Sequence, residues 1–231
     1  MPKKRSKRYR AAAEMVDADK VYPIEEAVAL VKKLPAPKFD QTVTLSFRLG
    51  VDPRQSDQMV RGTCPLPHGS GKDVRVLVFA EGEAATEAKN AGADHVGFEA
   101  LIKEVMGGFM EFDAVIATPS AMSEVRKLGR QLGPRGLMPN PKTGTVTDDT
   151  AGAVKAVKAG RIDFKLDKNG NISVPIGKLS FSAEMLIDNG KAVIDSVSAA
   201  RPATAKGIFI LKGALAATMV PGMKVDVTPW H

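Results

Sequence analysis

Cysteine and aromatic residues are scarce in this sequence of 231 residues, which has one cysteine and only 5% aromatic residues. A single thiol, Cys64, excludes a disulfide framework and a zinc site built from cysteines, and it fits a reducing compartment. The histidines His68, His95 and His231 are too scattered for a metal-ligand spacing. We therefore expect neither a disulfide nor a bound metal.

Long apolar runs are also missing, and none approaches the length of a membrane span. The basic start MPKKRSKRYR leads into AAAEMVDADK rather than into the apolar core of a signal peptide. Apolar residues make up 44% and charged residues 26%, values of a soluble globular protein that exclude wholesale disorder, collagen and coiled coil. We expect a cytoplasmic protein with no membrane partner.

Charge is unevenly distributed along the chain, whose formal net charge is +7. Two glycine-containing breaks, around Gly69 to Gly71 and around Gly160, divide it into three segments. The counts of Lys and Arg against Asp and Glu are 13 to 8 in residues 1–69, 11 to 12 in residues 70–159 and 9 to 6 in residues 160–231. The basic excess belongs to the two outer segments, and nucleic acid is the first candidate partner.

The middle segment alternates strands with helices. VRVLVFA (74–80) and FDAVIAT (112–118) read as buried strands, with a short strand at 95–97 between them. An Ala-rich helix ending at Gly92, a helix in EALIKEVMGG and a helix capped by Ser120 follow the three strands in turn. This order predicts parallel βαβ units in a three-layer, Rossmann-like domain.

Neither phosphate-binding motif that such a fold often carries is present. PHGSGKD has Leu66 where a P-loop needs its first glycine, and Asp73 follows Lys72 where Ser or Thr is needed. No GxGxxG follows VRVLVFA, so the first strand-helix turn lacks a cradle for a dinucleotide. We expect no cofactor, and a nucleotide-dependent enzyme is the weaker alternative.

The outer segments predict one α+β domain made from both chain ends. TVTLSFRLGV (42–51) alternates apolar and polar residues as a strand with one open face does, and NISVPIG (171–177) and MKVDVT (223–228) are further strands. Helices are expected from Pro23, at a first-turn position, to Leu34, and from Ser182 to Ala200, although Gly190 weakens the second.

Neither end has enough strands for a stable sheet by itself. We therefore expect a discontinuous domain of residues 1–69 and 160–231, with residues 70–159 inserted. Two chain crossings, at Gly69 to Gly71 and at Gly160, then form a double hinge.

Three basic elements are candidate nucleic-acid contacts. The N-terminal arm has six Lys or Arg in ten residues and is expected to be disordered until it binds. The strand after Lys38 and Phe39 offers the hydroxyls of Thr42, Thr44 and Ser46 and the charge of Arg48 on its polar face. The segment 125–147 carries the cations Arg126, Lys127, Arg130, Arg135 and Lys142.

Each element also has a simpler interpretation: a solubilising tail, a solvated sheet face, and a surface loop whose leucines pack while its cations stay in water. For the segment 125–147, nucleic-acid contact and a packed surface loop are equally weighted. The acidic pairs at 17 and 19, 25–26 and 148–149 have no His, Ser or Cys partner, and solvated or capping roles are favoured over catalysis.

LGRQLGPRGLMPNPKTGTV (128–146) and SDQMVRGTCPLPHGSGK (56–72), together with the late dipeptide Thr218-Met219, closely resemble the bacterial ribosomal protein L1 family. The resemblance covers the chain except its extreme termini. It implies a split domain that binds large-subunit ribosomal RNA and a Rossmann-like insert joined through a hinge.

The resemblance also implies site residues. Phe39 and Thr42 match an RNA-contacting strand, Asp167 and Lys168 a short turn, and Thr218 with Met219 the diagnostic RNA-facing loop. The family usually has glycine after this Thr-Met pair, whereas this chain has Val220. With Lys38, Thr44 and Arg48 from the strand, these are the expected RNA-binding residues.

By the same resemblance, the protein forms the mobile stalk of the large subunit, helps deacylated tRNA leave the exit site, and represses its own mRNA. It is a monomer when free of the ribosome. A regulator that binds mRNA only, without joining the ribosome, is the remaining alternative.

Overall fold

The computed structural model describes residues 5–230, which form two compact units. Unit 1 consists of the described residues up to Gly71 and from Ile162 onwards, and unit 2 spans Lys72–Arg161. The chain therefore crosses between the units twice, one or two residues beyond the glycines at which the sequence was divided.

Eight helices and ten strands occur within residues 5–230. In chain order, the helices are α1 Lys7–Glu14, α2 Ile24–Lys33, α3 Gly82–Asn90, α4 Glu99–Met106, α5 Met122–Val125, α6 Gly129–Leu132, α7 Thr150–Lys158 and α8 Ala183–Ala199. The strands are β1 Val21–Tyr22, β2 Thr42–Leu49, β3 Arg61–Pro65, β4 Val76–Phe79, β5 His95–Gly97, β6 Ala114–Ala117, β7 Arg161–Lys165, β8 Asn171–Lys178, β9 Ile210–Ala217 and β10 Met223–Val225. Short 3-10 turns lie at Ser56–Gln58, Arg126–Leu128, Pro141–Thr143 and Thr228–Trp230.

Unit 1 is built on a five-stranded sheet in the order β1-β10-β9-β2-β8. Strand β2 lies inside the sheet, antiparallel to β8 on one side and to β9 on the other. Its alternation is confirmed, because Val43, Leu45, Phe47 and Leu49 are all buried in the core of unit 1. Since the same core holds apolar residues of α2 and α8, the opposite face of β2 is left without a helical cover.

Helices α2 and α8 begin close to where the sequence predicted. Pro23 is the residue before α2 rather than a first-turn residue, and its carbonyl accepts a hydrogen bond from the Ala27 N–H at 2.9 Å. Ser182 caps α8, with its side chain accepting from the Met185 N–H at 3.2 Å. Gly190 does not break α8: it is buried where a Cβ would lie 2.8 Å from Ile24 Cδ1.

Strands β1, β3, β7 and β9 were not predicted. Strand β9 has the sequence ILKGALAA, whose glycine and alanines have low strand propensity, so pairing with β2 and β10 decides its conformation. Strands β3 and β7 form a separate two-stranded sheet. The predicted strand at 223–228 is shorter, because β10 ends at Val225 and a 3-10 turn follows at Thr228–Trp230.

Unit 2 has three parallel strands in the order β5-β4-β6, as the alternating pattern predicted. Apolar residues of α3 and α7 pack on one face of this sheet, and those of α4, α5 and α6 pack on the other. Strands β4 and β6 are shorter than expected.

At the amino ends of β4 and β6, Asp113 accepts hydrogen bonds from Lys72 Nζ at 2.7 Å and from Arg75. The Lys72 bond is the main cause that lowers the pKa of Asp113.

The helix predicted after Ser120 is wrong in its cap and in its length. Ser120 does not cap a helix: its hydroxyl pairs with Thr118 Oγ1 at 3.0 Å, and α5 begins at Met122 after Ala121. The predicted long helix is instead divided into α5, a 3-10 turn and α6, because Gly129 and Gly133 weaken a continuous helix. The N-terminal arm is not irregular throughout, since α1 begins at Lys7; its residues 1–4 lie outside the described part of the chain.

The glycines expected to act as hinges each have a local structural role. Gly69, Gly71 and Gly160 all have positive φ, at 69°, 69° and 98°. The Gly69 carbonyl accepts a hydrogen bond from Nδ2 of the fully buried Asn189 at 3.0 Å, which fixes this crossing to α8. Gly160 ends α7, with its N–H donating to the Val157 carbonyl at 3.1 Å.

Between residues 5 and 230, no helix combines the length and the apolar character needed to cross a membrane.

Candidate nucleic-acid interface

The open face of the unit 1 sheet carries the polar side chains of β2. Thr42, Thr44 and Ser46 are half-buried on this face and Arg48 is exposed. Ser46 Oγ lies 2.9 Å from Ser173 Oγ on β8, and Lys178 Nζ donates to Thr42 Oγ1 at 3.0 Å. The predicted residues of β2 thus belong to a surface shared with the adjacent strand.

Neighbouring strands extend this face with residues that the sequence did not single out. Arg48 pairs in register with Asn171 on β8 and with Lys212 on β9, and Ser46 pairs with Ala214, which in turn pairs with Lys224 on β10. Residues paired in register lie on the same face of a sheet. Only the strand order could have identified Lys178, Lys212 and Lys224, since they lie far from β2 in sequence.

Thr218 and Met219 lie at the end of the sheet where β2 begins. The Thr218 N–H donates to the Thr42 carbonyl at 3.1 Å, and Thr218 Oγ1 accepts from the Thr42 N–H at 3.3 Å. Met219 is the one described non-glycine residue with a positive φ, at 64°, and the residue is 62% exposed. Val220, where the resemblance implies glycine, is half-buried against the core of unit 1.

Asp167 and Lys168 lie at the opposite end of the same sheet. The N–H groups of Asn169 and Asn171 donate to Asp167 Oδ1 at 2.8 and 2.7 Å, so this carboxylate holds its own turn. The Asn171 bond is the main cause that lowers the pKa of Asp167. Asp167 is therefore a positioning residue, and Lys168 is exposed beside it.

The backbone joins this turn to the end of β2, because the Leu49 N–H donates to the Gly170 carbonyl at 2.8 Å. Strand β2 has eight residues, so the two ends of the face are roughly 20 Å apart at about 3.3 Å per residue. Lys38 and Phe39 precede β2 and are exposed, Phe39 by 48%. The predicted residues of β2 thus lie on one elongated face, with the Thr218-Met219 loop at one end and the Asp167-Lys168 turn at the other.

The basic segment at 125–147 in unit 2 has both packed leucines and exposed cations, the features of the two interpretations that the sequence left open. Leu128 and Leu132 are buried, and Leu137 and Met138 pack against the same core. All five of its cations are exposed: Arg126, Lys127, Arg130, Arg135 and Lys142. Lys127 pairs with Glu124, while Asn140 Oδ1 accepts from the Lys142 N–H at 2.8 Å and fixes that turn.

The net positive charge belongs to unit 1. With the boundaries of the two units, unit 1 has 21 Lys and Arg against 14 Asp and Glu, and unit 2 has 12 against 12. Within residues 5–230, no group of three or more His, Cys, Asp or Glu side chains is placed to hold a metal ion. Hydroxyls and cations on a sheet face are suited to contacts with phosphate and ribose.

The sequence profile of the Ribosomal protein L1p/L10e family matches residues 30–221. The chain belongs to this family. It is 59% identical over 223 residues to the large ribosomal subunit protein uL1 of Bifidobacterium longum subsp. infantis, which covers 96% of this chain and 97% of that relative. It is 54% identical over 226 residues to the protein of the same name from Kosmotoga olearia, covering 98% of this chain and 97% of that relative.

Membership of the ribosomal protein L1 family confirms the resemblance drawn from the sequence motifs. It also removes the nucleotide-dependent enzyme as an alternative, because this is a family of structural ribosomal proteins. The matched region runs from α2 through the Thr218-Met219 loop and so includes both ends of the open sheet face.

Proposed function

We propose that this protein is a component of the large ribosomal subunit and that unit 1 binds large-subunit ribosomal RNA through the open face of its five-stranded sheet. The observation that carries the proposal is the continuity of this face. Thr42, Thr218 and Lys178 meet at one end, Arg48 and Lys168 lie at the other, and the unit has the whole net positive charge. Relatives of 54 to 59% identity are named as large-subunit proteins, which supports the ribosomal assignment.

The mechanism is recognition by shape. Lys and Arg neutralise phosphates, while Thr and Ser hydroxyls bond to phosphate or ribose oxygens. The Thr218 hydroxyl is already bonded to the β2 backbone, so it fixes the position of the adjacent exposed Met219. Phe39 provides an aromatic ring for an unpaired base. No covalent bond is made or broken.

The proposal extends to unit 2 as a Rossmann-like insert that moves on the two crossings at Gly69 to Gly71 and Gly160. As part of the mobile ribosomal stalk, unit 2 helps deacylated tRNA leave the exit site. Its exposed cations at 126–142 are the candidate contact with tRNA or further ribosomal RNA. We also propose that the sheet face of unit 1 binds the protein's own mRNA and represses its translation. The free protein is a cytoplasmic monomer.

The decisive experiment compares charge-matched variants of the full chain in binding to deproteinised large-subunit RNA. Lys178→Gln and Arg48→Gln each remove one cation from the open face, and Lys32→Gln removes one from the exposed side of α2. We expect the first two to lose roughly 3- to 10-fold in affinity and to lower the salt slope by about 0.7 to 0.9, as loss of one phosphate contact does. Lys32→Gln should change affinity by less than about twofold.

Equal losses of affinity in all three variants would show that binding depends only on the net charge of the protein. That result would refute the sheet face as the binding site. Thr218→Ala and Met219→Asp test the loop in the same assay, with circular dichroism to verify folding; unchanged affinity in both removes the loop from the interface. Co-sedimentation with large subunits separates a ribosomal component from a regulator that binds only mRNA.

A further inference from the structure

The N-terminal helix α1 lies beside the loop that carries Met219. Arg8 Nη2 is 3.7 Å from Met219 Sδ, although the two residues are 211 positions apart in the chain. Arg5, Ser6, Arg8, Tyr9 and Met219 together line a surface groove of about 400 Å³. The sequence motifs gave no reason to connect these two parts of the chain.

The groove has apolar walls and a cationic rim. Tyr9 and Met219 provide an aromatic ring and an exposed thioether, and the Arg5 guanidinium lies 4.5 Å from the centre of the Tyr9 ring. Arg5, Lys7, Arg8 and Arg10 form no ion pair with any carboxylate among residues 5–230. Arg5 and Arg8, the two cations that line the groove, therefore lack counter-charges and favour an anionic ligand.

The geometry of the groove is fixed by local structure. Ser6 caps α1 by accepting a hydrogen bond from the Tyr9 N–H at 3.2 Å, and Ala12 and Val16 anchor the helix in the core of unit 1. On the other side, the bonds between Thr218 and Thr42 hold the loop. Both walls are therefore in position before a ligand arrives, which lowers the entropic cost of binding.

We propose that this groove binds one unpaired nucleotide of RNA, with its base against Tyr9 and Met219 and a flanking phosphate on Arg5 and Arg8. The inference rests on the proposed function, because it extends the open sheet face beyond Met219 onto α1. An aromatic ring beside arginines is the arrangement with which proteins bind unstacked bases. The uncompensated positive charge favours RNA over a neutral protein segment.

The test measures the affinity of full-length variants for deproteinised large-subunit RNA. Tyr9→Ala should bind roughly tenfold more weakly, in the range of stacking losses, whereas Tyr9→Phe keeps the ring and should stay within about twofold of the wild type. Arg8→Gln should lose roughly 3- to 10-fold in affinity and lower the salt slope by about 0.7, as one lost contact with a single-stranded phosphate does.

Arg10→Gln is the matched control, because it removes the same charge from the same helix on the side away from Arg8, about 200° around the axis. Equal losses for Arg8→Gln and Arg10→Gln, or wild-type affinity for Tyr9→Ala with an unchanged circular dichroism spectrum, would overturn the proposal. If the wild-type chain itself fails to bind this RNA, the proposed function fails instead.

A second arm uses polyglutamate as a probe for an acidic protein partner. We expect it not to displace the RNA at equal charge concentration and not to distinguish Tyr9→Ala from the wild type. Displacement that depends on Tyr9 would assign the groove to an acidic polypeptide and overturn the RNA proposal.

Discussion

Met219 holds a backbone conformation that side chains other than glycine rarely adopt. Its φ of 64° lies in the left-handed region, which costs a residue with a Cβ about 1 to 2 kcal/mol, and its exposed side chain recovers little of this through packing. Strain of this kind is retained where function requires the side chain. The residue is therefore expected to reduce the stability of unit 1 while contributing to RNA affinity.

Met219→Gly should separate these two effects. We expect it to raise the free energy of unfolding by about 0.5 kcal/mol, because relief of the strain outweighs the greater freedom of glycine in the unfolded chain. RNA affinity should fall severalfold in the same variant. Urea unfolding followed by the fluorescence of Trp230, the sole tryptophan, reports on unit 1.

Met219→Ala is the control, since it removes the side chain but keeps the Cβ and its strain. It should lose RNA affinity as Met219→Gly does, without the gain in stability. A Met219→Gly protein less stable than Met219→Ala would show that φ at this position is not a source of strain.

At the scale of elements, the packing of α2 on α8 depends on Gly190, the residue that was expected to weaken α8. Gly190 lies at the middle of α8, where its missing side chain admits Ile24 from α2. Helix propensity alone disfavours glycine at such a position by about 1 kcal/mol relative to alanine. Tertiary packing outweighs that preference, which explains why α8 runs without interruption from Ala183 to Ala199.

Gly190→Val should destabilise unit 1 by about 2 kcal/mol, since its branched side chain must displace Ile24 Cδ1 in a filled core. Ile24→Val removes that methyl group, so the penalty of Gly190→Val should be smaller in the Ile24→Val background. A double-mutant cycle measured by urea unfolding gives the coupling. Additive effects of the two substitutions would refute the close contact between the helices.

Strand β2 and the unit 2 strands show how much of the architecture was predictable. The period-two pattern of residues 42–49 identified the buried and open faces correctly, because alternation is a local property of a half-buried strand. Strand β9 was missed because its alanines and glycine give no such signal, and Lys212 was missed with it. Lys224 lies on the predicted strand at 223–228, but only β9 connects that strand to β2. Candidate residues on β2 were therefore predictable, but their partners across the sheet were not.

At the scale of the whole molecule, the charge is divided so that unit 2 is neutral and unit 1 has the entire excess. Because salt dependence reports the number of neutralised phosphates, binding dominated by unit 1 should keep its salt slope when unit 2 is removed. This partition is what allows the roles of the two units to be tested separately.

A chain in which residues 1–71 are joined to residues 162–231 by a short Gly-Ser linker should therefore bind large-subunit RNA with the slope of the full chain. If about five phosphates are neutralised, affinity in both should fall roughly 100- to 500-fold between 50 and 200 mM salt. A folded linked chain with a clearly smaller slope would assign phosphate contacts to the basic segment at 126–142.

The sequence by itself determined the family, the basic character of both chain ends, the open face of β2 and the alternating elements of unit 2, since motifs, charge and periodicity are properties of the chain alone. The tertiary structure decided which cations share that face, because Lys178, Lys212 and Lys224 reach Arg48 and Thr42 only through strand pairing. It also placed α1 beside Met219, a contact between chain ends that no local pattern encodes.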